Sequence, residues 1–77
     1  MKIQILGTGC PKCKALASNA ERAVKELGLN AEIEKITGIE EILKFRILMM
    51  PGLVIDGQVK AAGSVPSTDE IKQLLAQ

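Results

Sequence analysis

The chain has 77 residues, 47% of them hydrophobic, and its ten basic and nine acidic side chains give a formal net charge of +1. We expect a single domain, residues 1–77, with a modest core, because a chain of this size buries only about 60% of its unfolded surface. The charges are interspersed, which argues against a nucleic-acid partner, and no apolar run reaches the roughly 18 residues that span a membrane. We therefore predict a cytoplasmic monomer that neither binds nucleic acid nor inserts into a membrane.

The first half of the chain predicts a strand, a long helix and a second strand. Polar and apolar residues alternate over Lys2–Leu6, which predicts strand β1. Residues Pro11–Leu27 predict helix α1, with proline at the first helical position and Gly28 as the C-cap. Residues 31–36 alternate again and predict β2, at or near a sheet edge and joined to β1 by a right-handed parallel crossover. The apolar stripe of α1 consists of Leu16, Ala20, Ala23, Val24 and Leu27.

The middle of the chain predicts a short second helix, α2. Thr37 and Glu40 have the spacing of a capping box, which predicts a helix that opens at this point. Ile39, Ile42 and Leu43 then fall on one side of the helix. For residues 45–50 the sequence predicts no element.

The last third of the chain predicts a hairpin and a third helix. Pro51-Gly52 precedes an apolar strand, β3, over residues 53–55, and the Asp-Gly pair at 56–57 is a strong hairpin signal that predicts β4 over residues 58–61. A bend follows at Gly63, and Ser67 with Glu70 forms a second capping box that opens α3. The predicted order is β-α-β-α-β-β-α, an α/β domain with a four-stranded mixed sheet flanked by helices. The buried stripe of α3 is Ile71, Leu74 and Leu75.

The two cysteines of the chain, Cys10 and Cys13, lie three positions apart at the start of α1. A disulfide between them closes a very small loop and adds little stability, because the gain rises with loop length. In the cytosol such a pair is more often redox-active or metal-binding than structural. The residues therefore leave two interpretations open, electron exchange through a disulfide or the binding of a soft metal ion.

The redox interpretation follows from the predicted start of the helix. If Pro11 is the first helical residue, Cys10 is the N-cap, and its sulfur meets the free N–H groups and the positive end of α1. Lys12 and Lys14 add positive charge, so the thiolate form of Cys10 is favoured. Cys13, one turn further, is expected to be less exposed and able to attack a mixed disulfide formed at Cys10. Cys10 is therefore the predicted nucleophile and Cys13 the predicted resolving thiol.

A module that binds Cu(I) or another soft metal is the alternative, since two thiolates at this spacing can bind Cu(I) linearly. Zinc takes four ligands, and the chain has no histidine and no third cysteine. Small ferredoxin-like copper chaperones also place a Gly-x-x-Cys-x-x-Cys loop between a first strand and a first helix. They usually have Met where this chain has Thr8, and their order, β-α-β-β-α-β, differs from the predicted one. A third interpretation is a non-catalytic domain that keeps the fold predicted for this chain, β-α-β-α-β-β-α, and docks on another protein.

Two motifs and the order of elements resemble a known fold. The Cys-Pro-Lys-Cys motif at 10–13 follows β1, and Met50-Pro51 precedes β3. This arrangement resembles the thioredoxin fold, a three-layer α/β domain, in its short, glutaredoxin-like form. The Gly-Thr-Gly start at 7–9, the Pro-Gly-Leu-Val-x-Asp-Gly segment and Gly63 make the whole chain similar to a family of small thioredoxin-like redox-active disulfide proteins of archaea and bacteria.

The resemblance implies a thiol–disulfide oxidoreductase that takes part in electron transport and cell redox homeostasis. Cys10 and Cys13 match the redox pair of the family, which needs no metal and no cofactor other than this disulfide. Disulfide-containing proteins are the implied substrates, and a reductase of the thioredoxin-reductase type is the implied electron donor. Glutaredoxins carry a Thr-Val-Pro loop and further residues that hold glutathione, and the Met-Met-Pro loop at 49–51 argues against glutathione here.

The resemblance also implies roles for residues around the redox pair. Pro51 matches a proline that is preceded by a cis peptide bond, in a loop that approaches the cysteines. The backbone of Met50 is then offered to an extended substrate segment, and Gly63 is a second implied substrate-binding residue. The other residues predicted to shape the site are Gly9, Pro11 and Lys12.

Overall fold

The computed structural model describes residues 1–47 and 49–76. Within them, four strands and three helices follow one another in the predicted order β-α-β-α-β-β-α. Residue 48, in the stretch 45–50 for which the sequence predicts no element, and residue 77 lie outside the described residues. The elements are β1 Lys2–Leu6, α1 Pro11–Leu27, β2 Glu32–Ile36, α2 Ile39–Lys44, β3 Gly52–Ile55, β4 Gln58–Ala62 and α3 Thr68–Leu75.

The strands form one mixed sheet in the order β2-β1-β3-β4. β1 and β2 are parallel, with Ile5 opposite Lys35, and β3 is antiparallel to both β1 and β4. The parallel crossover, the edge position of β2 and the β3–β4 hairpin are therefore confirmed. The hairpin turns at Asp56 and Gly57, whose φ values of 48° and 83° are those of the tight turn that an Asp-Gly pair favours.

Helices cover both faces of the sheet, so the domain has three layers. α1 and α3 pack against each other and, with one face of β1 and β3, enclose the main core. α2 covers the opposite face, where Ile42 packs with Leu6 and Val54 in a second, smaller core. This arrangement confirms the predicted three-layer α/β fold. The main core consists of Ile3, Ile5, Leu16, Ala17, Ala20, Ala23, Leu53, Ile55, Ile71 and Leu75.

Helix α1 begins and ends at the predicted residues. Gly28 is its C-cap, with a φ of 66° that a residue without a Cβ adopts easily, and its N–H donates a hydrogen bond to a carbonyl of the last turn. The first three residues of the predicted apolar stripe are buried, Val24 is half-buried, and Leu27 in the last turn is exposed. None of the helices in residues 1–47 and 49–76 has the length and hydrophobicity that crossing a membrane requires.

The predicted start of α2 is wrong. Its N-cap is Gly38, which has no side chain to accept a hydrogen bond, and the helix begins at Ile39. Thr37 therefore lies one position too early to cap it. Ile42 is buried, whereas Ile39 and Leu43 are each 60% exposed, because only one line of residues on this short helix faces the sheet. The predicted apolar side is thus divided between core and solvent.

The predicted capping box of α3 is confirmed. Ser67 Oγ accepts a hydrogen bond from the Glu70 backbone N–H at 3.1 Å, and the Glu70 carboxylate accepts one from the Ser67 N–H at 3.2 Å. Ile71 and Leu75 are buried as predicted, and Leu74 is half-buried against the main core. Two free N–H groups at the helix start are therefore paired reciprocally, which stabilises α3.

This difference between the two predicted caps has a measurable consequence. We expect Ser67→Ala to lower the free energy of unfolding by about 0.5–2 kcal/mol, the usual cost of losing an N-cap side chain. Thr37→Ala removes a hydroxyl that does not cap a helix, so we expect it to cost less than about 0.5 kcal/mol. Urea unfolding of both variants measures this. Equal losses in the two variants would show that the capping box is not what stabilises α3.

Candidate functional site

Strand β1 and helix α1 bring the two cysteines together at one edge of the sheet. Cys10 is the N-cap of α1 and Pro11 is its first residue, as predicted. Cys10 and Cys13 form a disulfide, with their Cα atoms 5.1 Å apart. The backbone N–H of Cys13 donates a hydrogen bond to Cys10 Sγ at 3.3 Å. The Cys10 sulfur thus lies at the positive end of α1, where the free N–H groups stabilise a negative charge.

The two sulfurs have different environments. Cys13 is buried, with 5% of its surface exposed, whereas Cys10 is half-buried. Lys12 and Lys14 are exposed beside them, and neither forms an ion pair with a residue in the described part of the chain. Their positive charges are therefore not neutralised by a bound carboxylate there. A macromolecule that approaches this end of α1 meets Cys10 before Cys13.

The loop before β3 lies close to the cysteines. The Met50–Pro51 peptide bond is cis, as the resemblance implied, and Pro51 is fully buried. A Cβ built on Gly7 would lie 3.9 Å from Pro51 Cβ and 2.9 Å from Cys13 Cβ. Pro51 and Cys13 therefore both lie beside the same glycine. The structure brings together two predicted residues that are far apart in the sequence.

Gly7 is a residue of the site for which the sequence predicted no role. It is buried, and a Cβ at this position would overlap Cys13 Sγ. Its position at the end of β1 leaves space for the disulfide because it has no side chain. The Gly-Thr-Gly start of the turn was visible in the sequence, but only the packing shows that Gly7 is needed for close approach.

Gly63 and the two methionines form the outer part of the same loop region. The Gly63 N–H donates a hydrogen bond to the Pro51 carbonyl at 2.8 Å, and the φ of Gly63 is 79°. A Cβ there would lie 2.8 Å from Met49 Cβ. Met49 and Met50 are 64% and 43% exposed. The predicted substrate-binding residues Met50 and Gly63 therefore both border Pro51, and the side chains of the two methionines are open to solvent.

The predicted site-shaping residues Gly9 and Lys12 lie at the rim. Gly9 is exposed, has a φ of 92°, and within the described residues no atom would come within 4 Å of a Cβ built on it. Gly9 therefore provides a backbone turn into α1 and is not packed against a neighbour. In residues 1–47 and 49–76 no group of three or more His, Cys, Asp or Glu side chains lies close enough to hold a metal ion.

Comparison with known proteins identifies the family of this site. A family model for the thioredoxin domain matches residues 1–76. The chain belongs to the thioredoxin family. With the disulfide at the start of α1, this makes it a thiol–disulfide oxidoreductase of the thioredoxin fold, with a redox-active Cys-x-x-Cys centre.

Archaeal thioredoxins are similar to the chain over most of its length. It is 51% identical over 76 residues to the thioredoxin of Methanothermobacter thermautotrophicus, which covers 99% of each chain. It is 44% identical over 73 residues to the thioredoxin of Methanocaldococcus jannaschii, covering 95% of this chain and 84% of the relative. A probable thioredoxin of Archaeoglobus fulgidus is 33% identical over 66 residues, 86% of this chain and 71% of the relative.

Proposed function

We propose that the protein is a reductase of protein disulfides, with Cys10 as the attacking thiolate and Cys13 as the resolving thiol. Cys10 attacks one sulfur of a substrate disulfide; that bond breaks, a mixed disulfide forms, and the other substrate sulfur leaves as a thiolate and takes up a proton. Cys13 then loses its proton and attacks Cys10 Sγ, which releases the second substrate thiol and forms the Cys10–Cys13 disulfide. The substrate gains two electrons and the pair loses two.

The observation that supports this order is the unequal exposure of the two sulfurs at the helix start. Cys10 is half-buried and caps α1, so its thiolate is both reachable and stabilised by N–H groups. Cys13 is 5% exposed, so a protein disulfide cannot reach its sulfur, whereas the neighbouring sulfur of Cys10 can. One cysteine is thus suited to attack an outside partner and the other to act within the chain.

The exposed part of the Pro51 loop is the proposed contact for the substrate. Met50 has an open apolar side chain and lies next to Pro51, and extended peptide segments bind well where backbone groups and apolar side chains are both offered. The Gly63 N–H holds the Pro51 carbonyl at 2.8 Å and so fixes the position of this loop. A substrate segment that lies along Met50 would therefore present its disulfide to Cys10.

The oxidised pair also needs a source of electrons. We assign the supply of these electrons to a reductase of the thioredoxin-reductase type in the cytoplasm, and the chain binds no cofactor other than its own disulfide. The identity of 51% to an archaeal thioredoxin over 99% of both chains supports a donor of that class. The Met-Met-Pro loop at 49–51 in place of a Thr-Val-Pro loop supports the same donor over glutathione.

A coupled assay tests the donor and the direction together. The purified oxidised protein is mixed with a disulfide-containing protein and either NADPH with a thioredoxin reductase or glutathione with glutathione reductase. We expect NADPH oxidation to depend on the protein in the first system and to stay at background in the second. The Cys10→Ser variant should give background in both. Turnover with glutathione alone would contradict the proposed donor, and no turnover with either system would contradict the reductase proposal.

A further inference from the structure

A groove of about 360 Å³ lies between the segment that follows helix α2 and the edge strand β4. We call it the Arg46 groove, because Arg46 is the one charged residue among the described residues that line it. The groove does not include Met50, Pro51 or Gly63, so it is distinct from the proposed substrate contact. The lining residues are Phe45, Arg46, Ile47, Met49, Val59 and Ala62.

The groove exists because the sheet extends one strand beyond the core that α2 covers. Val59 of β4 pairs with Val54 of β3 in the antiparallel ladder, so both side chains lie on the sheet face of α2. Val54 is fully buried in the second core, but within the described part of the chain no residue of β4 belongs to that core. Val59 is 41% exposed. An apolar strip of the sheet is thus left open beside Phe45 and Ile47.

Arg46 adopts a backbone conformation that its residue type does not favour. Its φ is 59°, in the left-handed region, where a Cβ lies too close to a carbonyl oxygen. The Arg46 N–H donates a hydrogen bond to the Leu43 carbonyl at 3.0 Å, directly after Phe45, the C-cap of α2. Helices usually place glycine at this position. An arginine is therefore strained where a glycine would not be, which points to a function for its side chain.

The charge of Arg46 is available to a partner. Its side chain is exposed, and it forms no ion pair with a residue of the described part of the chain. The described residues around it in the groove are all apolar. The complementary occupant therefore carries one negative charge next to an apolar side chain, because complementary charges determine which partner is accepted.

Met49 connects the groove to the loop beside the redox pair. A Cβ built on Gly63 would lie 3.3 Å from Met49 Sδ, and the Gly63 N–H donates a hydrogen bond to the Pro51 carbonyl at 2.8 Å. A protein segment that lies along Met50 can therefore continue past Met49 into the groove.

A second copy of the chain fits the groove less well than such a segment. The six described lining residues are far fewer than the roughly 20–30 that each side of a stable interface contributes. Twofold symmetry would also place two copies of the same positive patch against each other. The size and the charge of the groove both favour a short acidic and apolar segment of another protein.

We propose that the Arg46 groove selects substrates with an acidic residue beside an apolar one, a few positions from the disulfide that Cys10 attacks. The substrate carboxylate pairs with Arg46, and the apolar side chain packs between Phe45 and Val59. This inference rests on the proposed function, since the segment belongs to the substrate that Cys10 attacks. It adds a class of substrate to that function.

Reduction of synthetic peptides tests this selection. Each peptide has one cysteine in a mixed disulfide with thionitrobenzoate and carries a Glu-Leu, Lys-Leu or Glu-Ser pair about four residues, or roughly 13 Å of extended chain, away on each side. Cys10 of the reduced protein attacks the peptide sulfur, and thionitrobenzoate leaves as a coloured thiolate. Cys13 then attacks Cys10 and releases the peptide thiol. The protein pair loses two electrons, which the peptide disulfide gains.

The ratio of the Glu-Leu rate to the Lys-Leu rate reports the charge selection. We expect Arg46→Gln to lower this ratio about two- to five-fold, the effect of losing one exposed ion pair. Arg22→Gln, which changes the other arginine of the chain at an exposed position outside the groove, is the matched control and should leave the ratio unchanged. Arg46→Gly should lower the ratio as Arg46→Gln does and should melt no lower than the wild type, because it removes the strain.

The wild type should also reduce the Glu-Leu peptide faster than the Glu-Ser peptide, and Val59→Thr, which keeps the shape of the side chain, should weaken this preference. Equal effects of the Arg46 and Arg22 substitutions, or equal wild-type rates with these two peptides, would overturn the inference. A wild-type dimer in sedimentation that Arg46→Gln dissociates, with the rate ratio unchanged, would assign the groove to a second copy instead. In each of these cases thionitrobenzoate is still released, so the proposed reductase activity stands. Release from none of the peptides would contradict both proposals.

Discussion

Replacing Cys13 by serine is expected to convert the protein into a covalent trap for its substrates. The variant keeps the half-buried Cys10 at the helix start, so the first attack on a substrate disulfide still occurs. The hydroxyl of the serine cannot attack the mixed disulfide, and the complex therefore persists. Nonreducing gel electrophoresis after mixing the reduced variant with a disulfide-containing protein should show one stable adduct, which reductant removes. Multiple-turnover activity should fall to background.

Cys10→Ser is the matched control because it removes one sulfur from the same motif. Cys13 remains, but it is 5% exposed and a protein disulfide cannot reach it. We expect no adduct with a protein substrate within the time in which Cys13→Ser is fully converted. Comparable adduct formation by both variants would contradict the assigned roles, and adducts formed only by Cys10→Ser would reverse them.

Gly7→Ala is the second change for which we expect a large effect. A Cβ at this position would overlap Cys13 Sγ and lie 2.9 Å from Cys13 Cβ. Pro51 Cβ would also lie 3.9 Å from the added Cβ, and Cys13 is buried, so the Cys13 side chain or β1 has to shift. Overpacking of a buried site of this kind usually costs about 1–3 kcal/mol. The same shift moves Cys13 relative to Cys10, so the resolving step should slow in addition to the loss of stability.

Gly38→Ala is the control for Gly7→Ala, since it makes the same chemical change at an open position. Among the described residues beyond its chain neighbours, a Cβ on Gly38 would meet only a Glu41 carboxylate oxygen, at 3.9 Å, and the φ of Gly38 is −75°, which alanine adopts without strain. Urea unfolding should show that Gly38→Ala lowers the free energy of unfolding by no more than about 1 kcal/mol, since alanine is a poorer N-cap than glycine. If Gly7→Ala is as stable and as active as Gly38→Ala, the close packing of Gly7 on Cys13 contributes neither to stability nor to the resolving step.

The parts of the fold that the sequence predicts well are those with strong local chemistry. Pro11 and Gly28 mark the ends of α1 because proline suits the first helical turn and glycine suits the left-handed C-cap. The Asp56-Gly57 turn sets the hairpin for a similar reason. In each case a backbone preference and the tertiary structure agree, so local reasoning is sufficient.

The start of α2 shows where local reasoning fails. Thr37 and Glu40 match the capping-box spacing, yet the helix begins one residue later with Gly38 as its cap. A short helix is placed mainly by the packing of its one buried residue, Ile42, since packing contributes more to a short helix than propensity does. The spacing of polar residues alone carries no information about that packing.

The candidate site could be predicted only in part for a related reason. Cys10 and Cys13 are only three positions apart in the sequence, and their position at the helix start follows from Pro11. Gly7 belongs to the site because of a close approach in three dimensions that no sequence pattern records. The cis peptide bond before Pro51 was predicted from the family resemblance. The residues alone favour trans, since only about 5–6% of X-Pro bonds are cis in folded proteins.

A redox titration of the free thiols tests the central claim most directly. The protein is equilibrated in thiol–disulfide buffers of known potential, the free thiols are alkylated, and the modified cysteines are counted per monomer by mass spectrometry. We predict a reversible two-electron transition from no free thiols to two, with a midpoint between about −200 and −300 mV, the range of thioredoxins and glutaredoxins. A pair that stays reduced across this range, or that oxidises only to disulfide-linked dimers, would contradict exchange through the Cys10–Cys13 disulfide.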